Sequence, residues 1–171
     1  MKSIRLLAAA VTSLLTTIAS AGPTILYVSE GGEKRIAIYS MDEATGELTR
    51  TGAVDLPGAP GSFAIDPKRA HLYAAVRSGK QFVTLTIYPA TGALSEPVFS
   101  PAEIDAAYVQ VDETGKWLLA ASYSEGVVTV NRITDGVITG APIQTVATGR
   151  RRTVSSSLRD IVSPSCRTWA S

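Results

Sequence analysis

One cysteine, Cys166, and one histidine, His71, stand in this sequence of 171 residues. A lone cysteine forms no internal disulfide, so stability has to come from packing. A His/Cys metal site and a Cys–His nucleophile pair both need a second member, so neither can be assembled. No serine sits in a Gly-x-Ser-x-Gly elbow. Gly58 to Gly61 contains proline and is not followed by a helical pattern, so it reads as a turn and not as a phosphate loop. Between residues 22 and 149 no apolar period of 3.6 appears, which excludes a helical body. No long apolar run follows residue 18, so the chain beyond the leader has no segment able to span a membrane as a helix.

What is present begins with an address. Lys2 and Arg5 precede a mostly apolar run from Leu6 to Ile18, and Ala19-Ser20-Ala21 puts small residues where a signal peptidase cuts. Residues 1–21 are therefore expected to be a signal peptide cleaved before Gly22. The mature protein is expected to be exported, periplasmic or secreted. The 150 residues that remain allow one domain with a substantial core.

A repeat organises that domain. Leu26-Tyr27-Val28-Ser29, Leu72-Tyr73-Ala74-Ala75 and Leu118-Leu119-Ala120-Ala121 are spaced by 46 residues. Thr45-Gly46 recurs as Thr91-Gly92, and Asp66 as Asp112, at the same step. A period of 40 to 50 built from short strands marks a β-propeller blade. The expected strands are 25–29, 35–40, 48–54 and 62–66 in a first set, and 71–76, 82–88, 94–99 and 107–112 in a second. Strands 117–122, 127–133 and 143–147 begin a third. Glu30-Gly31-Gly32, Ala44-Thr45-Gly46, Ala90-Thr91-Gly92 and Thr134-Asp135-Gly136 supply the turns. The strand that opens each set is almost continuously apolar, as in a strand covered on both faces.

Charge divides the chain. From Gly22 to Gly149 there are 9 Lys and Arg against 14 Asp and Glu, a balance of −5. From Arg150 to Ser171 there are five Arg against one Asp, a balance of +4. The acidic body has no electrostatic footprint for a nucleic acid. The tail, 150–171, has no place in the repeat: Pro164 stands where the next Leu-Tyr would fall. Its clustered charge and missing apolar period predict weak structure.

Val54-Asp55-Leu56-Pro57-Gly58, Asp66-Pro67-Lys68-Arg69, Leu72-Tyr73 with Val76-Arg77, and the run Ala121 to Val130 ending in Thr134-Asp135-Gly136 together resemble the propeller-type 6-phosphogluconolactonases, within the wider group of seven-bladed lactonases. The resemblance implies an all-β fold, a β-propeller of which residues 22–149 supply about three of seven blades. It implies hydrolysis of a sugar lactone as the ancestral activity, with no cofactor and no metal. The family's His-bearing segment, expected after Thr148-Gly149, is missing. A two-base shift of the codons for Ser165 to Ala170 can read Val-Pro-Tyr-Leu-Gly, so the tail reads as a frameshifted product, with a genuinely divergent tail as the alternative.

The channel mouth is where such a fold gathers function. Arg77, after the strand 71–76, is expected to hold a substrate phosphate or carboxylate through its bidentate fork. Ser122 and Tyr123, at the end of the equivalent strand, read either as hydrogen-bonding a sugar hydroxyl or, for the tyrosine, as packing between blades. Tyr108 stands where many relatives carry His, and Glu30 is placed at the same mouth. His71, at the other end of its strand, reads as a surface residue or as packing between blades. No residue is identified as catalytic. The chain reads as a truncated, exported lactonase relative with little activity of its own. The alternatives are a non-catalytic propeller used for binding and an inactive pseudogene product. The expected partners are a small sugar lactone and, through uncovered blade faces, further copies of the chain, with neither nucleic acid nor membrane after signal cleavage.

Overall fold

The computed structural model describes residues 24–148. The expected signal peptide, 1–21, and the basic tail, 150–171, lie outside the described residues. Eleven strands follow one another: β1 Thr24–Glu30, β2 Arg35–Met41, β3 Leu48–Asp55, β4 Pro60–Ile65, β5 His71–Val76, β6 Gln81–Thr86, β7 Val98–Pro101, β8 Tyr108–Val111, β9 Trp117–Ser122, β10 Val127–Thr134 and β11 Val137–Ala147. The helical content among them is a three-residue 3₁₀ turn, Arg77–Gly79.

The strands form three antiparallel sheets, ordered β1-β2-β3, β4-β5-β6-β7 and β8-β9-β10-β11. The grouping differs from the sequence expectation by one strand. The fourth strand of each expected set leaves its sheet and opens the next one, so β4 pairs with β5 and β8 with β9. The three-stranded sheet is accordingly the first and not the third. The motif strands β5 and β9 are not the innermost of their sheets, whereas β1 lies at the edge of its own. In the second and third sheets β4 and β8 lie inside them, joined where the Val109 N–H donates to Ser62 Oγ at 2.8 Å. At the outer rim the Ser100 hydroxyl donates to the Ile138 carbonyl at 2.7 Å, tying β7 to β11.

Burial explains why β5 is apolar throughout. Leu72, Ala74 and Val76 face the first sheet and pack with Ile36, Leu56 and Val83. Tyr73 and Ala75 face the third, with Phe82, Val109 and Leu118. A strand covered on both sides cannot alternate polar and apolar residues. The turns carry the repeat as firmly. Asp66 Oδ1 accepts the N–H groups of Ala70 (2.7 Å) and His71 (3.2 Å), and Asp112 Oδ1 accepts those of Lys116 (2.9 Å) and Trp117 (3.0 Å). Each carboxylate closes the hairpin that leads into a motif strand.

Two expected strands end elsewhere. The strand expected over 94–99 is β7, 98–101, with Leu94 reduced to a single bridge to Ile87. The strand expected to begin at residue 143 starts at Val137, because Asp135 (φ 50°) and Gly136 (φ 79°) make a two-residue hairpin turn after β10.

Candidate functional site

The polar side chains of interest gather at one end of the second and third sheets, where β5 and β9 finish. Arg77 follows β5 directly. Its stem passes over Gly61 of β4: a Cβ placed there would lie 3.7 Å from both Cγ and Cδ of Arg77. The alternation of β5 sends the side chain toward the third sheet, and its guanidinium meets Asp105 in the β7–β8 connection. Nε donates to Oδ1 at 2.7 Å and Nη2 to Oδ2 at 2.8 Å, the two-point fork of a bidentate pair. The Asp105 carboxyl is held below the usual carboxylate range, chiefly by that hydrogen bond from Arg77, while burial opposes it.

Ser122, the last residue of β9, is buried and faces the second sheet. Its hydroxyl lies 3.2 Å from that of Ser124 and accepts the Glu125 N–H at 3.2 Å. Ser124 donates to Asp105 Oδ2 at 3.3 Å. Arg77 and Ser122, 45 positions apart in sequence, are thus linked through Asp105 and Ser124. Glu125 adds a second tie: its Oε1 accepts the Asp105 N–H and the Lys80 Nζ, both at 3.0 Å. Tyr123 is 60% exposed and stands beside this network on the β9–β10 turn.

Of the residues expected at the mouth, the structure joins Arg77 and Ser122 and leaves Tyr123 at their margin. Tyr108 opens β8 opposite Ala121, so it lies at the same end. Glu30 ends β1 on the first sheet, paired with Arg35 and, at 3.3 Å, with Arg50. His71 is at the far end: Nδ1 lies 3.0 Å from Asp66 Oδ2, and a Cβ at Gly136 would come within 2.3 Å of the imidazole. It packs the second sheet onto the third, one of the two placements read from the sequence. Asp105, Lys80 and Glu125 were not singled out. Glu125 stands in the Ser-Tyr-Ser-Glu-Gly run that carries the family resemblance, but Asp105 lies between repeats and has no local signature.

A cleft of about 860 Å³ opens at the opposite end, between the first two sheets, and includes Tyr27, Glu43, Ile65, Asp66, Arg69 and Gly92 in its lining. Asp66 is committed there to the turn and to His71. Among the described residues no group of three or more His, Cys, Asp and Glu side chains is arranged to hold a metal ion.

Comparison with known proteins bears on this arrangement. A family profile described as "Lactonase, 7-bladed beta-propeller" matches residues 17–104. A 6-phosphogluconolactonase of Photorhabdus laumondii is 30% identical over 123 residues, 72% of this chain and 37% of that protein. One of Yersinia pestis is 33% identical over 119 residues, 70% of this chain and 35% of that protein. The chain therefore spans little more than a third of the length of these relatives. Among solved structures, a periplasmic gluconolactonase of Pseudomonas aeruginosa superposes with a TM-score of 0.67 at 19% identity, over 73% of this chain and 37% of the other. A protein of Lactobacillus plantarum gives 0.59 at 21% identity, over 67% of this chain and 36% of the other. At these identities the two likenesses speak for the fold.

Proposed function

The chain belongs to the seven-bladed β-propeller lactonase family, and from that premise we propose that its mouth recognises a sugar lactone through Arg77, Ser122 and Tyr123. The observation that carries the proposal is the hydrogen-bonded path from Arg77 through Asp105 and Ser124 to Ser122, which places a cation and hydroxyl groups from two sheets at one site. Donors of this kind can hold a lactone carbonyl and its ring hydroxyls. Export, by the leader at residues 1–21, would put the site in contact with lactones outside the cytoplasm. The relatives are named for a phosphorylated lactone and the structural neighbour for gluconolactone. An exported site suits a lactone without phosphate.

Hydrolysis needs more than recognition. Water must lose a proton to a base whose pKa lies near the working pH, a contribution of about 10²–10⁴-fold. The two carboxylates at the mouth, Asp105 and Glu125, are both held below their ordinary range: Asp105 by the hydrogen bond from Arg77, Glu125 by the Asp105 N–H and then Lys80. Both are weak bases already committed to partners. This favours a second reading, binding without turnover, for the 171-residue chain as it stands. Copies of the chain are proposed to associate through their outer sheets.

The test is hydrolysis of a panel of sugar lactones, measured against a buffer blank and an Arg77→Ala variant. Turnover indistinguishable from the blank, with a stable lactam analogue bound by the parent chain and lost in the variant, is the expected result. Turnover well above the blank and abolished in Arg77→Ala would overturn binding without catalysis.

A further inference from the structure

The mouth holds two cations and two carboxylates, and their formal charges cancel. Arg77 is engaged by Asp105 at two points, 2.7 and 2.8 Å, and Lys80 by Glu125 at 3.0 Å. Asp105 is itself fixed from three sides: by the fork of Arg77, by the Ser124 hydroxyl at 3.3 Å, and through its own N–H by Glu125 at 3.0 Å. Its two oxygens occupy the positions on Arg77 that a ligand carboxylate or phosphate would take. We propose that Asp105 is a specificity-determining residue, which reserves the Arg77 site for uncharged lactones and turns away phosphorylated lactones and the acids that hydrolysis produces. The inference rests on the reading of this mouth as a sugar-lactone site.

The chemistry distinguishes the two classes of ligand. Lactone hydrolysis adds water across the ring ester: the acyl C–O bond breaks, the ring oxygen becomes a hydroxyl, and the acid formed releases its proton to solvent. A neutral substrate thereby becomes an anion. The guanidinium has five N–H donors, and Asp105 uses the Nε donor and one on Nη2. A lactone carbonyl needs a single donor and can take one of those that remain on the half-exposed side chain. A carboxylate or phosphate seeks the fork itself and has to compete with an intramolecular carboxylate, whose effective concentration is in the millimolar range or above. It also approaches Asp105 and Glu125, whose charges already neutralise Arg77 and Lys80. Asp105 is ionised at neutral pH, because Arg77 holds its pKa below the usual range.

The experiment is calorimetric titration of the 171-residue chain with three probes: gluconolactam, a stable neutral analogue, gluconate, and 6-phosphogluconate. For the parent chain, gluconolactam is expected to bind at least tenfold more tightly than either anion. Asp105→Asn frees the guanidinium and removes a repelling charge. It is expected to tighten gluconate and 6-phosphogluconate by roughly tenfold or more relative to gluconolactam, the scale of one charge-assisted hydrogen bond. Asp105→Ser serves as a second variant with the same expectation, and circular dichroism checks the folding of both. Anions bound by the parent chain as tightly as gluconolactam, or an unchanged preference in both folded variants, would overturn the proposal while leaving the lactone site intact. Failure of all three probes to bind any of the proteins would overturn the site itself, and the selectivity with it.

Discussion

Tyr27 and Tyr73 stand one repeat apart and do the same work. Each passes its hydroxyl to the next sheet, Tyr27 to the Gly92 carbonyl and Tyr73 to the Gly136 carbonyl, both at 2.8 Å. The ring fills the space between the sheets and the hydroxyl closes the contact, which is why an aromatic with one polar atom is used. Burial pushes both phenols up; for Tyr73 the nearby charge of Asp66 adds to it. The third repeat has Leu119 at this register, so that link is not continued. Tyr73→Phe keeps the ring and orphans the Gly136 carbonyl. It is expected to cost about 1–2 kcal/mol, read as a lower midpoint in urea unfolding; a midpoint unchanged from the parent would show that the hydroxyl bond contributes nothing. The repeated tyrosine was visible in the sequence. Its partner was not, because the glycine it meets lies 63 to 65 residues away.

At the scale of elements, the hairpins set the register and the crossings set the sheets. The β10–β11 hairpin turns on Asp135 and Gly136, both at positive φ, as a two-residue turn of right-handed twist requires. Gly136 is doubly constrained, since any Cβ would press on His71. Gly136→Ala is expected to destabilise the protein by about 1–3 kcal/mol and to displace the His71 ring. A thermal melt checks the first effect and the His71 imidazole proton shifts the second; an alanine variant with the parent's melting temperature would contradict both. Strand locations were legible because composition, alternation and turn residues are local. The allocation of β4 and β8 was not. A strand of six or four residues after a turn can close its own sheet or open the next, and the choice depends on which inner edge is nearer in space. The same limit hid Asp105. It sits in the crossing between two sheets, and only the meeting of β5 with that crossing brings it to Arg77.

The described residues form an arc of three sheets, each stabilised chiefly by its neighbours, as in other repeat architectures. Its outer rim has a weak point. β11 is an edge strand of 11 residues with no charged side chain, interrupted only by Gly140 and Pro142. Long uncharged edges invite pairing with another chain. Val28 and Leu48 on the first sheet and Val146 on the third add exposed apolar surface. Sedimentation velocity of the chain at micromolar concentrations is expected to show species larger than the monomer, and Thr145→Lys, which puts a charge on the edge strand, to reduce them. A single monomeric boundary over a tenfold concentration range would rule this association out.

Three repeats, their 46-residue step, the all-β class and the family were determined by the sequence alone, because each rests on local pattern: alternation along a strand, glycine and aspartate at turns, a Leu-Tyr step repeated in phase. The placement of Arg77, Ser122 and Tyr123 at one end of their strands was determined in the same way, since a strand's direction and length follow from its residues. Tertiary structure decided the rest. It moved the boundary of every sheet by one strand, put β5 and β9 second from the inner edge, and filled the fork of Arg77 with a carboxylate from the crossing between β7 and β8. Contacts between sheets depend on distances in space between residues far apart in the chain, and no local pattern of side chains encodes them.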